Sequence, residues 1–198
     1  MDIIEKDPLF YKIVRPLIVF LFKILYRPTI VGKENIPENG GFVLAGGSHK
    51  NNFDCASLIV STKRCIHFLA KDELYKGIKK ILFKNMGIIP VNRRKKDGFA
   101  LNKAISFLKK EMVIGIFPEG TFNKSDDPTI PFKIGAVKMA YDTNSKIVPF
   151  VIKGDYKIFR KGLKIEFFPP FIVKTSDLEK ENEKFRKFID KKIKKSEV

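Results

Sequence analysis

The chain has 198 residues, enough for one domain with a sizeable core, and its 44% hydrophobic and 31% charged composition excludes an unfolded chain. The net charge of +17 is concentrated, because residues 63–110 hold 14 Lys and Arg against Asp72, Glu73 and Asp97. A field of this sign favours anionic partners: a membrane surface, a phosphorylated small molecule or nucleic acid. Cys55 and Cys65 form no CxxC pair, and His49 and His67 are the only histidines, so neither a disulfide framework nor a metal site is expected.

Residues 8–30 are the most apolar stretch, but no run of about 20 residues is free of charge, which disfavours a membrane span. At about 100° per residue, Lys12, Arg15, Lys23 and Arg27 fall within roughly one third of a helical wheel. Leu9, Ile13, Leu17, Ile18, Leu21, Phe22, Ile24 and Leu25 occupy the rest. A narrow cationic stripe beside a wide apolar face suits a helix lying in a bilayer interface, with its cations snorkelling to the headgroups. A core helix would show a similar pattern, although one docking helix needs fewer large apolar residues. Pro16 is expected to kink or interrupt the helix. Nothing resembles a cleaved signal peptide, so the expected location is the cytoplasmic face of the cell membrane, peripheral or monotopic.

From residue 32 the pattern is α/β. Phe42–Ala45 reads as a buried strand, Gly46-Gly47-Ser48 as a turn, and Asn51-Asn52 as N-caps of a helix to about Thr62. Strands follow at Ile66–Ala70 and Gly87–Val91, around a Lys-rich helix at Gly77–Lys84. Residues 98–111 have helical spacing, Val113–Phe117 reads as a strand, Gly135–Asp142 as a helix and Ile147–Ile152 as a strand. From Asp177, the spacing of Phe185, Phe188, Ile189 and Ile193 predicts a charged amphipathic helix. This alternation implies a mixed, largely parallel sheet covered by helices. The expected organisation is a membrane-interface segment over residues 1–31, followed by one domain over residues 32–198.

In such sheets, ligands bind beyond the carboxyl ends of the strands. His49 and Asp54 follow the first of these strands. In one regular helix they would be rotated apart by about 140°. A strand–turn–helix context lets His49 sit in the turn and Asp54 in the first helical turn. The carboxylate then fixes the histidine tautomer, and the other ring nitrogen can take a proton from a hydroxyl. The serine elbow GxSxG fails, because Lys50 stands where glycine is required. Direct attack by an external hydroxyl is therefore the simpler scheme, and water as the acceptor would make the protein an esterase. Amides around His49 or at Gly120 are the candidates for oxyanion stabilisation.

Five ordered blocks then carry a family resemblance: His49-x4-Asp54, Lys71-x-Glu73-Leu74, Gly87-Ile88-Ile89-Pro90-Val91-Asn92-Arg93, Phe117-Pro118-Glu119-Gly120-Thr121 and Val148-Pro149-Phe150. Together with Pro131-Phe132-Lys133-x-Gly135-Ala136, they resemble the 1-acyl-glycerol-3-phosphate acyltransferase family over residues 32–155. The resemblance implies transfer of a fatty acyl group from acyl-CoA or acyl-carrier protein to the free hydroxyl of lysophosphatidate, a step of phospholipid biosynthesis, without a cofactor. It implies that His49 is the general base and Asp54 orients it. By the same resemblance Arg93, Glu119, Gly120 and Thr121 belong to the acceptor-binding blocks.

The chain departs from the family pattern at Ser48 and Asn51 in the first block, and at Phe122, where the family has arginine. The last departure removes a cation from the acceptor pocket. Either Arg94, Lys95 or Lys133 replaces it, or the acceptor is another lysolipid. A nonenzymatic basic module for anionic lipid or nucleic acid is the rival reading. The absence of an RNP-type aromatic signature and of zinc-knuckle spacing argues against nucleic acid. His67, within an apolar strand, reads as a core residue.

Overall fold

The computed structural model describes residues 7–47, 49–75, 77–92 and 98–195. Helix α1 (Leu9–Tyr26) leads into strand β1 (Thr29–Val31) and then β2 (Phe42–Gly47), α2 (Asp54–Ile59) and β3 (Ile66–Lys71). Next come α3 (Gly77–Asn85), β4 (Ile89–Val91), α4 (Phe99–Lys109), β5 (Val113–Ile116) and α5 (Gly135–Thr143). Strands β6 (Lys146–Lys153) and β7 (Lys164–Phe167) and helix α6 (Leu178–Lys194) complete the chain. The seven strands form one sheet in the order β1-β7-β6-β2-β5-β3-β4. Every neighbouring pair is parallel except β6 with β7, so the sheet is mixed and largely parallel, as expected.

The apolar runs of the central strands reflect burial on both faces. In β2, Phe42 and Leu44 pack with Tyr11, Phe22 and Tyr26 of α1 and Leu58 of α2. Val43 and Ala45 point the other way, towards Ala104 and Phe107 of α4, Val137 and Met139 of α5, and Phe185 and Ile189 of α6. Strand β6 divides in the same way, with Val148, Phe150 and Ile152 on one face and Ile147 and Val151 on the other.

Several local expectations are revised. Pro16 lies inside α1 without ending it, because its missing N–H costs only one bond of a helix that is also held from outside. Arg15 of the same turn donates from Nε and Nη2 to the Thr62 carbonyl, at 3.0 and 2.6 Å. Helix α2 ends at Ile59 rather than Thr62. Its N-terminus is not capped by Asn51 or Asn52; the residue before it, Phe53, makes no side-chain cap bond, and Asn51 Oδ1 accepts from Phe53 N–H instead. Strand β4 keeps Pro90 because it is an edge strand. Strands β1 and β7 were not anticipated.

Helix α1 buries Tyr11, Phe22 and Tyr26 against the domain and leaves Leu9, Ile13, Leu17, Phe20, Leu21 and Ile24 exposed. No helix among the described residues is long and apolar enough to cross a membrane. His67 is fully buried in β3, and its Nδ1 lies 2.8 Å from the Gly87 carbonyl.

Candidate active site

Strand β2 lies between β5 and β6, and the carboxyl ends of β2 and β5 carry His49, Asp54 and Glu119, the polar residues singled out in the sequence. The end of β2, where the sequence suggested a turn, needs small residues. A Cβ on Gly46 would stand 2.1 Å from the Phe150 carbonyl oxygen, and one on Gly47 2.7 Å from the Thr129 methyl. The backbone can therefore descend against β6 and deliver His49 to the sheet edge.

Asp54 is the first residue of α2 and only 1% exposed. Its Oδ2 lies 2.9 Å from His49 Nδ1 and also accepts from the Lys50 and Asn51 amides, each at 2.9 Å. Its Oδ1 accepts from the Tyr156 hydroxyl at 2.6 Å, and that hydroxyl is 2.9 Å from Ser57 Oγ. Four donors thus replace the water that a buried carboxylate has lost. Because a carboxylate only accepts, Nδ1 of neutral His49 carries the proton and Nε2 carries the lone pair. Burial, reinforced by the Asp54 charge, pushes the Tyr156 phenol well above its ordinary value, so it remains a donor.

The imidazole lies between two aromatic rings. Phe117 stacks on it with centroids 4.0 Å apart and planes 18° apart, and Phe122 tilts against it at 4.5 Å and 49°. The His49 side chain keeps 17% of its surface exposed.

Glu119, from the loop after β5, is buried and reaches across to this turn. Its Oε2 accepts from the His49 amide at 3.0 Å and its Oε1 from the Ile130 amide at 3.2 Å. Asn123 N–H donates to the His49 carbonyl at 2.8 Å, and Lys133 N–H donates to the Pro118 carbonyl at 2.8 Å. The loop is therefore bonded to the histidine turn from both sides. Gly120 has φ +68°, and a Cβ there would stand 2.9 Å from Lys133 Cε, so the lysine side chain crosses this glycine. Thr121 is exposed.

The structure thus groups His49, Asp54 and Glu119 directly, with Gly120 and Lys133 on the loop attached to them. Arg93 lies outside the described residues, as do Arg94 and Lys95. The amides of His49, Lys50, Asn51 and Gly120 already have acceptors in Glu119, Asp54 and Phe117, contrary to the expectation that they face an oxyanion. Two participants were missed. Tyr156 lies just beyond the carboxyl end of β6, where the strand-end rule would have flagged it. The contact of Phe122 with His49 has no sequence signature.

The model of the Acyltransferase family matches residues 27–153, which include His49, Asp54 and the Phe117–Thr121 block. The chain belongs to this family. It is 35% identical over 167 residues to the 1-acyl-sn-glycerol-3-phosphate acyltransferase of Borreliella burgdorferi, covering 77% of this chain and 65% of that one. It is 34% identical over 139 residues to the Bacillus subtilis protein of the same name, covering 67% of each. The chain therefore spans about two thirds of the length of these relatives. The crystal structure of the 1-acyl-sn-glycerophosphate (LPA) acyltransferase from Thermotoga maritima superposes with a TM-score of 0.75 at 20% identity, covering 95% of this chain and 81% of that one. That likeness establishes the acyltransferase fold.

Proposed function

We propose that this acyltransferase-family protein moves a fatty acyl group from acyl-CoA or acyl-carrier protein to the free hydroxyl of lysophosphatidate, giving phosphatidate. The observation that carries the reading is the His49–Asp54 pair, 2.9 Å apart with Nε2 as the lone-pair nitrogen, in a chain whose relatives bear this name. His49 Nε2 takes the proton of the acceptor hydroxyl as its oxygen attacks the thioester carbonyl. Asp54 faces the imidazolium that forms. The tetrahedral intermediate collapses, the carbon–sulfur bond breaks, and His49 returns its proton to the departing thiolate. The reaction so written needs no metal or redox cofactor.

Glu119 acts as a positioning residue, because its carboxylate accepts from the His49 and Ile130 amides and so holds the histidine turn. Lys133, Gly120, Thr121 and Arg93 bind the acceptor phosphate, with the two cations as its charged partners. The exposed apolar face of α1 rests in one leaflet at the cytoplasmic face of the membrane, so the lipid acceptor reaches His49 without crossing water. Residues 1–31 thus serve the membrane interface and residues 32–198 the chemistry.

A second acceptor class is favoured by one observation: Phe122 packs on the His49 ring where the family has arginine. The test is acyl transfer from acyl-CoA and from acyl-carrier protein to lysophosphatidate and to a panel of lysolipids lacking the phosphomonoester. Preference for lysophosphatidate with either donor supports the main reading. Transfer only to the other lysolipids assigns the second. No transfer to any acceptor, with vesicle binding intact, leaves the nonenzymatic lipid-binding module.

A further inference from the structure

Within the hairpin connection between β6 and β7, residues 154–162 have a composition that the chemistry above does not use. Its neck is pinched. A Cβ on Gly154 (φ +81°) would stand 1.9 Å from the Gly162 carbonyl oxygen, so the two ends of the loop nearly touch. Its tip presents Ile158 and Phe159, which are 57% and 59% exposed, to solvent. Phe159 also has φ +59°, a conformation rarely adopted by a bulky side chain. The tip is held outward by its backbone, because Phe159 N–H donates to the carbonyl of Leu25 in the last turn of α1.

Charge surrounds this apolar tip. Lys157, Arg160 and Lys161 flank Ile158 and Phe159, and Asp155 is the only acid of the loop. Asp155 pairs with Lys157 at 2.9 Å, which leaves Arg160 and Lys161 with no ion-pair partner among the described residues. An apolar tip set in unpaired cations complements an anionic lipid surface. The tip also continues a larger face, since Leu21 and Ile24 are exposed in the same terminal turns of α1 that Phe159 bonds to.

The loop then turns inward at Tyr156. Its ring packs against Tyr26 at 5.6 Å, Phe53 at 5.8 Å and Phe22 at 6.3 Å, and its hydroxyl reaches Asp54. One residue, Lys157, therefore separates a side chain bonded to the candidate dyad from an exposed apolar tip.

We propose that residues 154–162 form a lipid-contacting loop. It seats Ile158 and Phe159 in the headgroup layer of an anionic membrane and fixes the orientation of the His49–Asp54 site towards that surface. This deepens the membrane reading given above and rests on it. Helix α1 supplies the broad contact, and the loop supplies a second one at its end, next to the reacting groups.

The experiment measures partition of the full-length protein into phosphatidylcholine vesicles with and without phosphatidylglycerol. Wild type is compared with Ile158→Asn/Phe159→Asn and with Arg160→Ala/Lys161→Ala. Asparagine tolerates the positive φ at position 159, so the first variant should melt with wild type. It should lose about tenfold or more in partition to anionic vesicles, from removal of two inserted side chains. The second variant has no buried side chain to disturb. It should lose about tenfold on anionic vesicles and nothing on neutral ones. Acyl transfer to vesicle-borne acceptor should fall in parallel, while transfer to a short-chain monomeric acceptor stays at the wild-type rate. Wild-type partition in both variants, or a wild type that binds neither vesicle, overturns the proposal. Wild-type vesicle binding without transfer to lysophosphatidate overturns the proposed reaction and leaves the loop assignment standing.

Discussion

Tyr156→Phe isolates one hydroxyl. The ring keeps its contacts with Tyr26, Phe53 and Phe22, so no cavity opens. What is lost is the 2.6 Å bond to Asp54 Oδ1 and the 2.9 Å bond to Ser57 Oγ. A hydrogen bond to a buried carboxylate contributes about 1.5–3 kcal/mol. For a chain of this size each kcal/mol moves the melting temperature by roughly 2–4 °C, so a fall of about 3–12 °C is expected. The catalytic effect should be smaller than that of deleting the carboxylate. Oδ2 keeps His49 Nδ1 and the Lys50 and Asn51 amides, so Asp54 loses one of four donors and part of its alignment. Partial misalignment corresponds to about tenfold in kcat at unchanged KM, whereas Asp54→Asn, which upsets the tautomer, should cost about a thousandfold or more. Steady-state acyl transfer together with a thermal melt measures both. A wild-type kcat beside a lowered melting temperature would refute the positioning role. A loss equal to that of Asp54→Asn would mean that Tyr156 acts on the reacting atoms themselves.

Glu119→Gln preserves shape but turns an amide NH2 towards one of two backbone donors, the His49 or the Ile130 N–H. A buried donor left unmade costs roughly 1–3 kcal/mol, so both the melting temperature and kcat should fall, kcat by about tenfold or more. Phe122→Arg removes an aromatic face from His49 and restores the family's cation. KM for lysophosphatidate should fall about fivefold, from a phosphate contact of roughly 1 kcal/mol, while kcat also falls because a cation near His49 disfavours the imidazolium. Stability should decline at high pH. Burial holds the Cys65 thiol and the Tyr11 phenol above their ordinary values of 9.0 and 10.0, so the native state keeps protons that the unfolded chain releases. Their contribution is intact below about pH 9 and is lost as pH rises, at ~1.4 kcal/mol per pH unit each for Cys65 and for Cys55, whose thiol burial also raises, and more steeply above pH 10 once the Tyr11 and Tyr156 phenols join. Denaturant midpoints at successive pH values check the slope, and a flat profile would contradict it.

Much of this arrangement was legible in the sequence because it is local. The β2 run between glycine turns, and the histidine and aspartate five residues apart, required only strand–turn–helix geometry. The two-sided burial of β2, β5 and β6 showed as unbroken apolar runs. Strand β1 has three residues between Pro28 and Gly32, too few for any period to register. Strand β7 does alternate, with Ile165 and Phe167 inward, but its four residues follow a charged loop that masks them. Tyr156 meets Asp54 across 102 residues, a distance that no motif spans. Phe122 reads as a departure from a motif, and only the folded loop brings its ring onto the histidine. The helix start differs for a physical reason: Asn51 Oδ1 is taken by the Phe53 amide, and the Asp54 carboxylate turns back to the Lys50 and Asn51 amides, so α2 begins without an asparagine cap.

In the proposed reaction everything turns on His49 Nε2 taking the proton of the lipid hydroxyl. The most direct measurement is single-turnover acyl transfer to lysophosphatidate by wild type and by His49→Ala, with circular dichroism establishing that the variant is folded. The folded variant should bind acyl donor and vesicles as wild type does, yet transfer at least about a hundredfold more slowly, the scale of a lost general base. Equal transfer by the two proteins would contradict that proton transfer and remove His49 from the chemistry.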